Sequence, residues 1–230
     1  MTLKHAFGKS LFMLRLEFLI LVLSKRGYLY KSGWLKSYAK RKPVNLKNES
    51  IPWFSYASID FLKERLNKNL TVFEYGSGGS TMWFAERTKA VYSVESDKKW
   101  YELIKDKIPE NVHYFFEPIQ PMPYVQSVLL PLGKGFDNYN NKIGSFSNLF
   151  DVVIVDGVDR INSIKSGIPR LASGGVMIVD NCEYEEIQKV GLELLKKAGF
   201  KRLSFSGISP GTTMETITSI FYKSDNCLGI

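Results

Sequence analysis

One segment constrains the fold of this chain more than any other, because it joins an apolar strand to a glycine-rich turn and then to a helix. The strand is Leu70–Glu74, the turn occupies residues 75–81 with glycines at 76, 78 and 79, and the helix follows over Met82–Arg87. Strand, glycine turn and helix in this order begin a βαβ unit, whose turn lies at the ligand-binding edge of a parallel sheet. The segment therefore predicts an α/β protein with a ligand site at this turn.

The same alternation continues along the chain. Further strands are predicted over 90–95, 112–116, 150–156 and 174–181, helices over 98–107, 161–171 and 185–198, and a terminal hairpin over 202–205 and 219–223. The strands are nearly continuous in valine, isoleucine and phenylalanine, as expected when helices cover both faces of a sheet. We expect a doubly wound, mostly parallel, seven-stranded sheet preceded by an N-terminal helical arm.

Positive charge is concentrated before this sheet. Residues 1–47 carry eleven basic side chains and one acid, a net charge of +10, whereas the remainder carries −2. The basic character thus describes an arm and linker over 1–50, and not a nucleic-acid-binding body over 51–230. We expect no nucleic-acid partner. With only Cys182 and Cys227, a disulfide framework is excluded, and two reduced thiols in a cytoplasmic protein are expected.

The arm contains an apolar stretch, Leu11–Leu23, which is interrupted only by Arg15 and Glu17. As a helix it would be about 20 Å long, short of the ~30 Å hydrocarbon core of a bilayer, and it lacks the pattern of a secretory signal. Two interpretations stay open and can hold together. The helix packs on the domain or on a second copy in a homodimer, or residues 1–26 lie on an anionic membrane at its inner face.

Acidic residues stand at or beside the ends of four predicted strands: Glu74, Glu95, Asp156 and Asp180. Any one of them could cap the following helix, but four together favour a site at the carboxyl edge of the sheet. The turn departs from a dinucleotide fingerprint, since Thr81 stands where the last glycine belongs. A carboxylate at Glu74 suits a cationic ligand better than a pyrophosphate, and S-adenosylmethionine carries an ammonium and a sulfonium but no phosphate.

The run Glu74-Tyr-Gly-Ser-Gly-Gly-Ser80, with Glu95 after the second strand, resembles the first two motifs of class I S-adenosylmethionine-dependent methyltransferases, although Ser80 replaces a frequent third glycine. The resemblance implies a Rossmann-like methyltransferase fold. It implies that Glu95 binds the ribose hydroxyls and that the glycines let the backbone approach the cofactor. The implied cofactor-binding set is Glu74, Gly76, Ser77, Gly78, Gly79, Ser80, Thr81, Glu95 and Asp156.

The whole-chain pattern also resembles a bacterial group associated with surface-polysaccharide biosynthesis. The segments that carry this resemblance are Gly33-Trp34, Ile51-Pro52-Trp53, Asp156-Gly157 and residues 207–210. It implies a small-molecule or glycan acceptor and transfer of a methyl group to a hydroxyl of a sugar or cell-envelope precursor.

Asp156, Asp180 and Asn181 are expected to meet on one rim, where their oxygens would suit Mg²⁺. The trio resembles the metal site of catechol O-methyltransferase-like enzymes, but the lysine base of those enzymes is missing here. Asp159 is the nearest candidate base, and Arg160 could hold an acceptor phosphate or carboxylate. Alternatively, Asp159 caps the next helix and Arg160 pairs with a surface acid; a metal-free site also stays open.

Residues 119–149 are too long for a plain connection, and we predict an acceptor-side insertion there with Tyr124, Asp137 and Tyr139 as candidate contacts. A simple surface excursion is the alternative.

Two other functions are alternatives to methyl transfer. A nicotinamide-dependent oxidoreductase or epimerase is disfavoured by the turn and by the lack of a Tyr-x-x-x-Lys pair near the fourth or fifth strand. A catalytically silent scaffold with the same fold is the third.

Overall fold

A computed structural model describes Phe12 and residues 17–119 and 135–230 of the 230-residue chain. The predicted contact at Tyr124 and most of the predicted arm helix before Glu17 lie outside these ranges. The described N-terminal part contains the helices α1 (Glu17–Leu23), α2 (Tyr28–Lys31), α3 (Trp34–Lys40) and α4 (Tyr56–Arg65).

The strands form one seven-stranded sheet in the order β3-β2-β1-β4-β5-β7-β6. Their bounds are β1 Thr71–Tyr75, β2 Ala90–Glu95, β3 Val112–Phe116, β4 Phe150–Val155, β5 Leu171–Val179, β6 Lys201–Ile208 and β7 Glu215–Tyr222. Strands β1 to β5 pair in parallel, and β7 is antiparallel to both β5 and β6. This confirms the predicted doubly wound, mostly parallel sheet with a terminal hairpin.

The connections that the sequence predicted to be helical are helical, and the insertion predicted over 119–149 contains a further short helix, Asp137–Asn141. The helices are α5 (Gly79–Arg87), α6 (Lys98–Ile104), α7 (Asp137–Asn141), α8 (Arg160–Gly167) and α9 (Leu192–Lys197). A π-helical turn over Ile187–Gly191 leads into α9, and a 3-10 turn over Lys142–Ser145 follows α7. Predicted and observed ends mostly differ by one to a few residues, because the last turn of a helix and the end of a strand depend on tertiary contacts.

Strand β4 shows why the sheet is buried on both sides. Val152 and Ile154 belong to one hydrophobic cluster, Val153 and Val155 belong to a second, and all four side chains are fully buried. Successive residues of a strand point to opposite faces, so the two clusters are the two faces of one sheet. The continuous run of branched apolar residues is explained by this double coverage.

The segment before the sheet packs on it through tryptophans. Trp34 is 8% exposed in the core and its Nε1 donates to the carbonyl of Thr212 at 2.7 Å, while Nε1 of Trp53 donates to the carbonyl of Pro210 at 2.8 Å. These bonds fix the segment 34–53 beside the loop that joins β6 to β7. The division of the chain near residue 50 stays a prediction.

Strand β1 has β2 on one side and β4 on the other, so the chain reverses its direction across the sheet between β1 and β4. In open α/β sheets, ligands bind beyond the carboxyl ends of the strands at such a point. The glycine turn follows β1 directly. Fold and turn therefore place the candidate site at the same edge of the sheet.

Candidate functional site at the glycine turn

The turn glycines have different structural roles. Gly76 has φ +86°, and a Cβ there would lie 2.8 Å from the carbonyl oxygen of Asp156; a Cβ at Gly79 would lie 2.7 Å from the carbonyl of Ile51. Both positions are glycine because the backbone of a neighbouring segment passes close by. Gly78 is open, with the nearest atom to a Cβ, on Trp100, 3.8 Å away. Of the three glycines predicted to approach a ligand, Gly78 has the most room to do so.

Glu74 lies below the turn, fully buried at the end of β1. Its Oε2 accepts hydrogen bonds from the hydroxyls of Thr81 at 2.6 Å and Ser93 at 2.8 Å, while Oε1 has no partner among the described residues. Burial raises the pKa of the Glu74 carboxyl to about 7, although these hydroxyls favour its charged form. A cation beside Oε1 would supply the missing partner. The predicted contact of Glu74 with an ammonium group stays a prediction.

Glu95 ends β2 and is bonded to the same turn. Its Oε2 accepts from the backbone nitrogen of Ser77 at 3.2 Å and from the Ser77 hydroxyl at 2.7 Å. Its Oε1 accepts from the backbone nitrogens of Ser96 at 2.7 Å and Asp97 at 2.8 Å. A carboxylate has about four acceptor positions, so protein donors fill those of Glu95 here. The Ser77 hydroxyl also lies 2.7 Å from the hydroxyl of Tyr114, and contact between Glu95 and a ribose stays a prediction.

A cavity of about 350 Å³ lies against the turn. Its lining includes four consecutive turn residues, the α6 side chains Trp100 and Leu103, and the segment that precedes α4. The lining residues are Arg41, Lys42, Pro43, Val44, Ser50, Trp53, Ser77, Gly78, Gly79, Ser80, Met82, Trp100, Leu103, Ile104, Lys107 and Asp156. Ser77 to Ser80 and Asp156 are thus predicted site residues that share one cavity, whereas Glu74, Thr81 and Glu95 support its wall from behind.

The expected metal rim contains a different cation. Nη2 of Arg160 donates to Oδ1 of Asp156 at 3.2 Å and to Oδ1 of Asn181 at 2.7 Å, and Oδ1 of Asp180 accepts from Thr218 at 2.6 Å. No group of three histidine, cysteine or carboxylate side chains within residues 17–119 and 135–230 is arranged to hold a metal ion. The residues present therefore do not fit Mg²⁺, because a guanidinium already bridges two of its three expected ligands.

Burial raises the pKa of both carboxyls of this rim. The pKa of Asp156 is raised by burial and lowered in part by Arg160, while that of Asp180 is raised well above its ordinary value by burial and by the charge of Asp156. Arg160 was expected to face an acceptor or a surface acid; it pairs instead with Asp156, whose side chain is 23% exposed. Its role is to hold the rim together.

Asp159, the predicted base, is engaged by amide side chains. It adopts φ +47° before α8 and accepts from Nδ2 of Asn140 at 2.6 Å and of Asn162 at 3.0 Å. Its side chain makes no capping bond to α8, and it does not line the cavity. Among the acids of the rim, Asp156 is the one that faces the cavity. A role for Asp159 as base stays a prediction that its neighbours do not favour.

The acceptor candidates of the insertion are separated in the structure. Asp137 is exposed at the start of α7, whereas Tyr139 is 1% exposed and packs on Tyr75 with ring centroids 5.6 Å apart. The expectation that Tyr139 presents a surface to an acceptor is wrong for this structure, because the aromatic ring is part of the core. Its hydroxyl is buried without a described partner, at a position that a Cβ on Gly157 would overlap.

Sequence reasoning missed the contribution of the segment 41–53. The cluster Lys40-Arg41-Lys42-Pro43 belongs to the basic linker, to which the sequence assigned no site residue, yet Arg41, Lys42 and Trp53 line the cavity. The available signal was the combination of a basic cluster, a Pro-Trp pair and a short distance to the first strand. Trp100 was also missed; its Nε1 donates to the carbonyl of Ser77 at 2.8 Å and closes the turn from the α6 side.

The fold is shared with solved structures. A proposed methyltransferase from Streptococcus mutans, in complex with S-adenosylhomocysteine, superimposes with a TM-score of 0.50 and 15% identity over 73% of this chain and 96% of that chain. A methyltransferase-like protein from Silicibacter pomeroyi superimposes with a TM-score of 0.50 and 20% identity over 78% of this chain and 89% of that chain. The chain has the Rossmann-like methyltransferase fold. No protein-family model matches the sequence, and no curated protein matches it.

Proposed function

We propose that this protein transfers the methyl group of S-adenosylmethionine to a hydroxyl of a sugar or another cell-envelope precursor. One observation carries the proposal: the acids that end β1 and β2 both hydrogen-bond to the glycine turn, Glu74 through Thr81 and Glu95 through Ser77. A buried carboxylate thus contacts the turn from each of two neighbouring strands, and we assign Glu74 to the ammonium and Glu95 to the ribose hydroxyls of the donor. The shared fold supports it.

The proposed reaction is a direct displacement at the methyl carbon. The acceptor oxygen attacks the methyl carbon, the carbon–sulfur bond breaks, and the sulfonium becomes a neutral thioether. The hydroxyl proton needs an acceptor, and Asp156 is the acid that lines the cavity. Arg160 orients Asp156 from behind, and the raised pKa that burial gives Asp156 suits a group that must take up a proton. Asp156 thus replaces Asp159 as our candidate base.

Calorimetric titration of the purified chain with S-adenosylhomocysteine and, separately, with NADH tests the proposal. Saturable binding of S-adenosylhomocysteine alone supports it. Binding of NADH would favour the oxidoreductase or epimerase instead, and binding of neither would favour a silent scaffold. An activity assay with S-adenosylmethionine and a panel of sugar phosphates, read by mass spectrometry, then identifies the acceptor that gains a methyl group.

We further propose that the arm binds an anionic membrane. Leu19 to Leu23 in α1 are 40–66% exposed, and five consecutive residues cover every side of a helix at ~3.6 residues per turn. No side of this turn is therefore buried against the described part of the chain. Lys25 and Arg26 follow directly and would meet acidic headgroups. No helix among the described residues is long and apolar enough to cross a bilayer.

Flotation with vesicles tests the membrane proposal. The full chain should float with vesicles that contain phosphatidylglycerol and remain behind with vesicles of phosphatidylcholine alone. Leu21→Ser/Leu23→Ser should abolish flotation, whereas the control Val190→Ser, at an exposed apolar position outside the arm, should not. A concentration-dependent dimer that the double variant dissolves, without vesicle binding by the wild type, would instead show that α1 meets a second copy.

A further inference from the structure

The cavity at the glycine turn carries positive charge that the protein does not neutralise. Arg41, Lys42 and Lys107 line it, and none of the three takes part in an ion pair within the described residues. Segments 1–11, 13–16 and 120–134, which the structure leaves out, contain no aspartate or glutamate, and Glu17 is the one acid whose side chain is not described. The acid in the lining, Asp156, already pairs with Arg160 at 3.2 Å. The cavity is thus prepared for an anion.

A second hollow of about 430 Å³ adjoins the charged cavity. Arg41 and Trp53 line both, so they form the wall that the two spaces share, and Tyr38, Pro210 and Gly211 line the far side. Trp53 is 47% and Tyr38 64% exposed, although Nε1 of Trp53 is fixed by its bond to Pro210. We call these two adjoining hollows the groove, and an anchored aromatic side chain and a guanidinium lie where they meet.

We propose that this groove binds a glycosyl phosphate or diphosphate as the methyl acceptor, with the sugar ring on Trp53 and the phosphate held by Arg41 and Lys42. The inference rests on the proposed methyl transfer, because the groove includes the cavity at the glycine turn. A pyranose presents an apolar C–H face that covers an aromatic ring, and an arginine fork matches phosphate geometry. Three uncompensated cations suit a phosphate or diphosphate better than a single carboxylate, which carries only one charge.

Calorimetry with the full chain and three probes tests this. UDP-glucose and inorganic pyrophosphate should bind, glucose should not, and the affinity for both anions should fall with rising salt because the cations are exposed. Arg41→Gln/Lys42→Gln should weaken UDP-glucose binding at least about tenfold. The matched control Lys40→Gln/Lys47→Gln removes the same charge from exposed positions outside the cavity and should retain the wild-type affinity. Equal losses in both variants would overturn the proposal.

Two sources supply this chemistry, a soluble nucleotide sugar and a lipid-linked sugar diphosphate. Competition separates them: a glycosyl polyprenyl diphosphate in detergent micelles that displaces UDP-glucose supports the lipid-linked source, and failure to displace it supports the nucleotide sugar. Trp53→Leu tests the aromatic face by a different route. This variant should have a lower affinity for UDP-glucose and an unchanged affinity for pyrophosphate. Equal affinity of the variant and the wild type for UDP-glucose would contradict contact between the sugar and Trp53.

Parallel titrations with S-adenosylhomocysteine keep this inference separate from the proposed function. A wild type that binds S-adenosylhomocysteine but neither phosphate probe overturns the groove and leaves methyl transfer standing. If the wild type binds UDP-glucose but not S-adenosylhomocysteine, phosphate binding in the groove is supported and the proposed methyl transfer is contradicted. If Arg41→Gln/Lys42→Gln loses affinity for S-adenosylhomocysteine, the cations hold the carboxylate of the donor, and the acceptor assignment is overturned.

Discussion

The hydroxyl of Thr81 donates a 2.6 Å hydrogen bond to Oε2 of Glu74 and so ties the first turn of α5 to the end of β1. The same hydroxyl accepts from the backbone nitrogen of Gly78 at 3.0 Å. A buried acid thereby fixes the conformation of the turn from below. Because Oε1 of this acid has no described partner, its protonation state couples the turn to any cation that binds beside it.

Affinity for S-adenosylhomocysteine should depend on pH through Glu74. The pKa of this carboxyl is about 7, and an ammonium group binds its charged form, so affinity should rise as the pH passes through 7 and level off above it. Glu74→Gln should bind about tenfold more weakly at high pH and lose this dependence, since it cannot ionise. Calorimetry across the range checks both. A wild-type affinity that is flat with pH would contradict contact between Glu74 and the ammonium.

Glu74→Gln should also change how stability varies with pH. The folded pKa of about 7 exceeds the ordinary value of 4.5, so the stabilising contribution of the protonated carboxyl is present below pH 4.5 and is lost as the pH rises through 7. Relative to wild type, the free energy of unfolding of Glu74→Gln should therefore increase from acid to alkaline pH by on the order of 2–3 kcal/mol. Urea denaturation across this pH range measures the difference, with Glu110→Gln, at an exposed position, as the matched control.

Most elements were predictable from the sequence, because the central strands are largely apolar and most connections between them have helical spacing. Val152 to Val155 illustrate this, since a run buried on both faces must be a central parallel strand. The acids at strand ends were likewise predictable, because parallel strands place their carboxyl ends on one edge. What the sequence could not supply was partner choice among side chains distant along the chain.

Arg160 shows the difficulty. Arg160 begins α8 four residues after Asp156, so their pairing is local in the sequence. The hydrogen bond from Arg160 to Asn181, in contrast, depends on how β4 and β5 align. The same limit applies to Trp53, whose bond to Pro210 spans 157 positions. The Mg²⁺ prediction shows the same limit: oxygen ligands are visible in a sequence, whereas a guanidinium that bridges two of them is not.

Substitutions of Glu95 and of Ser77 should have opposite effects on the affinity for S-adenosylhomocysteine. Glu95→Gln removes charge-assisted bonds, each contributing ~1.5–3 kcal/mol, and should weaken S-adenosylhomocysteine at least about tenfold. Ser77→Ala removes the hydroxyl that occupies Oε2 of Glu95 at 2.7 Å and should bind as tightly as wild type or more tightly. Calorimetric titration of both variants with S-adenosylhomocysteine measures the two affinities. Equal weakening would mean that Ser77 itself contacts the ligand.

Arg160→Ala should destabilise the protein by about 2–4 kcal/mol, because it leaves Asp156 and Asp180 facing each other without a cation. The loss should be larger at alkaline than at acid pH, since burial raises the pKa of both carboxyls and their protonation at low pH removes the repulsion. Arg160→Lys retains a charge and should lose less stability.

Wild-type turnover should persist in excess EDTA. Turnover that stops in EDTA and returns with Mg²⁺ would support the metal site.

Tyr139 and Tyr75 form a natural matched pair for measuring the cost of an unpaired buried hydroxyl. Their rings pack 5.6 Å apart, but the Tyr75 hydroxyl donates to the carbonyl of Asn140 at 2.7 Å while that of Tyr139 has no described partner. Burial raises the pKa of both well above the usual value, so both are neutral donors. Tyr75→Phe should therefore lose about 1 kcal/mol of stability, and Tyr139→Phe should gain a similar amount. Equal losses, measured by thermal and urea unfolding, would show that an ordered water satisfies Tyr139. If Tyr139→Phe is more stable yet binds S-adenosylhomocysteine more weakly, the hydroxyl serves the ligand at the expense of the fold.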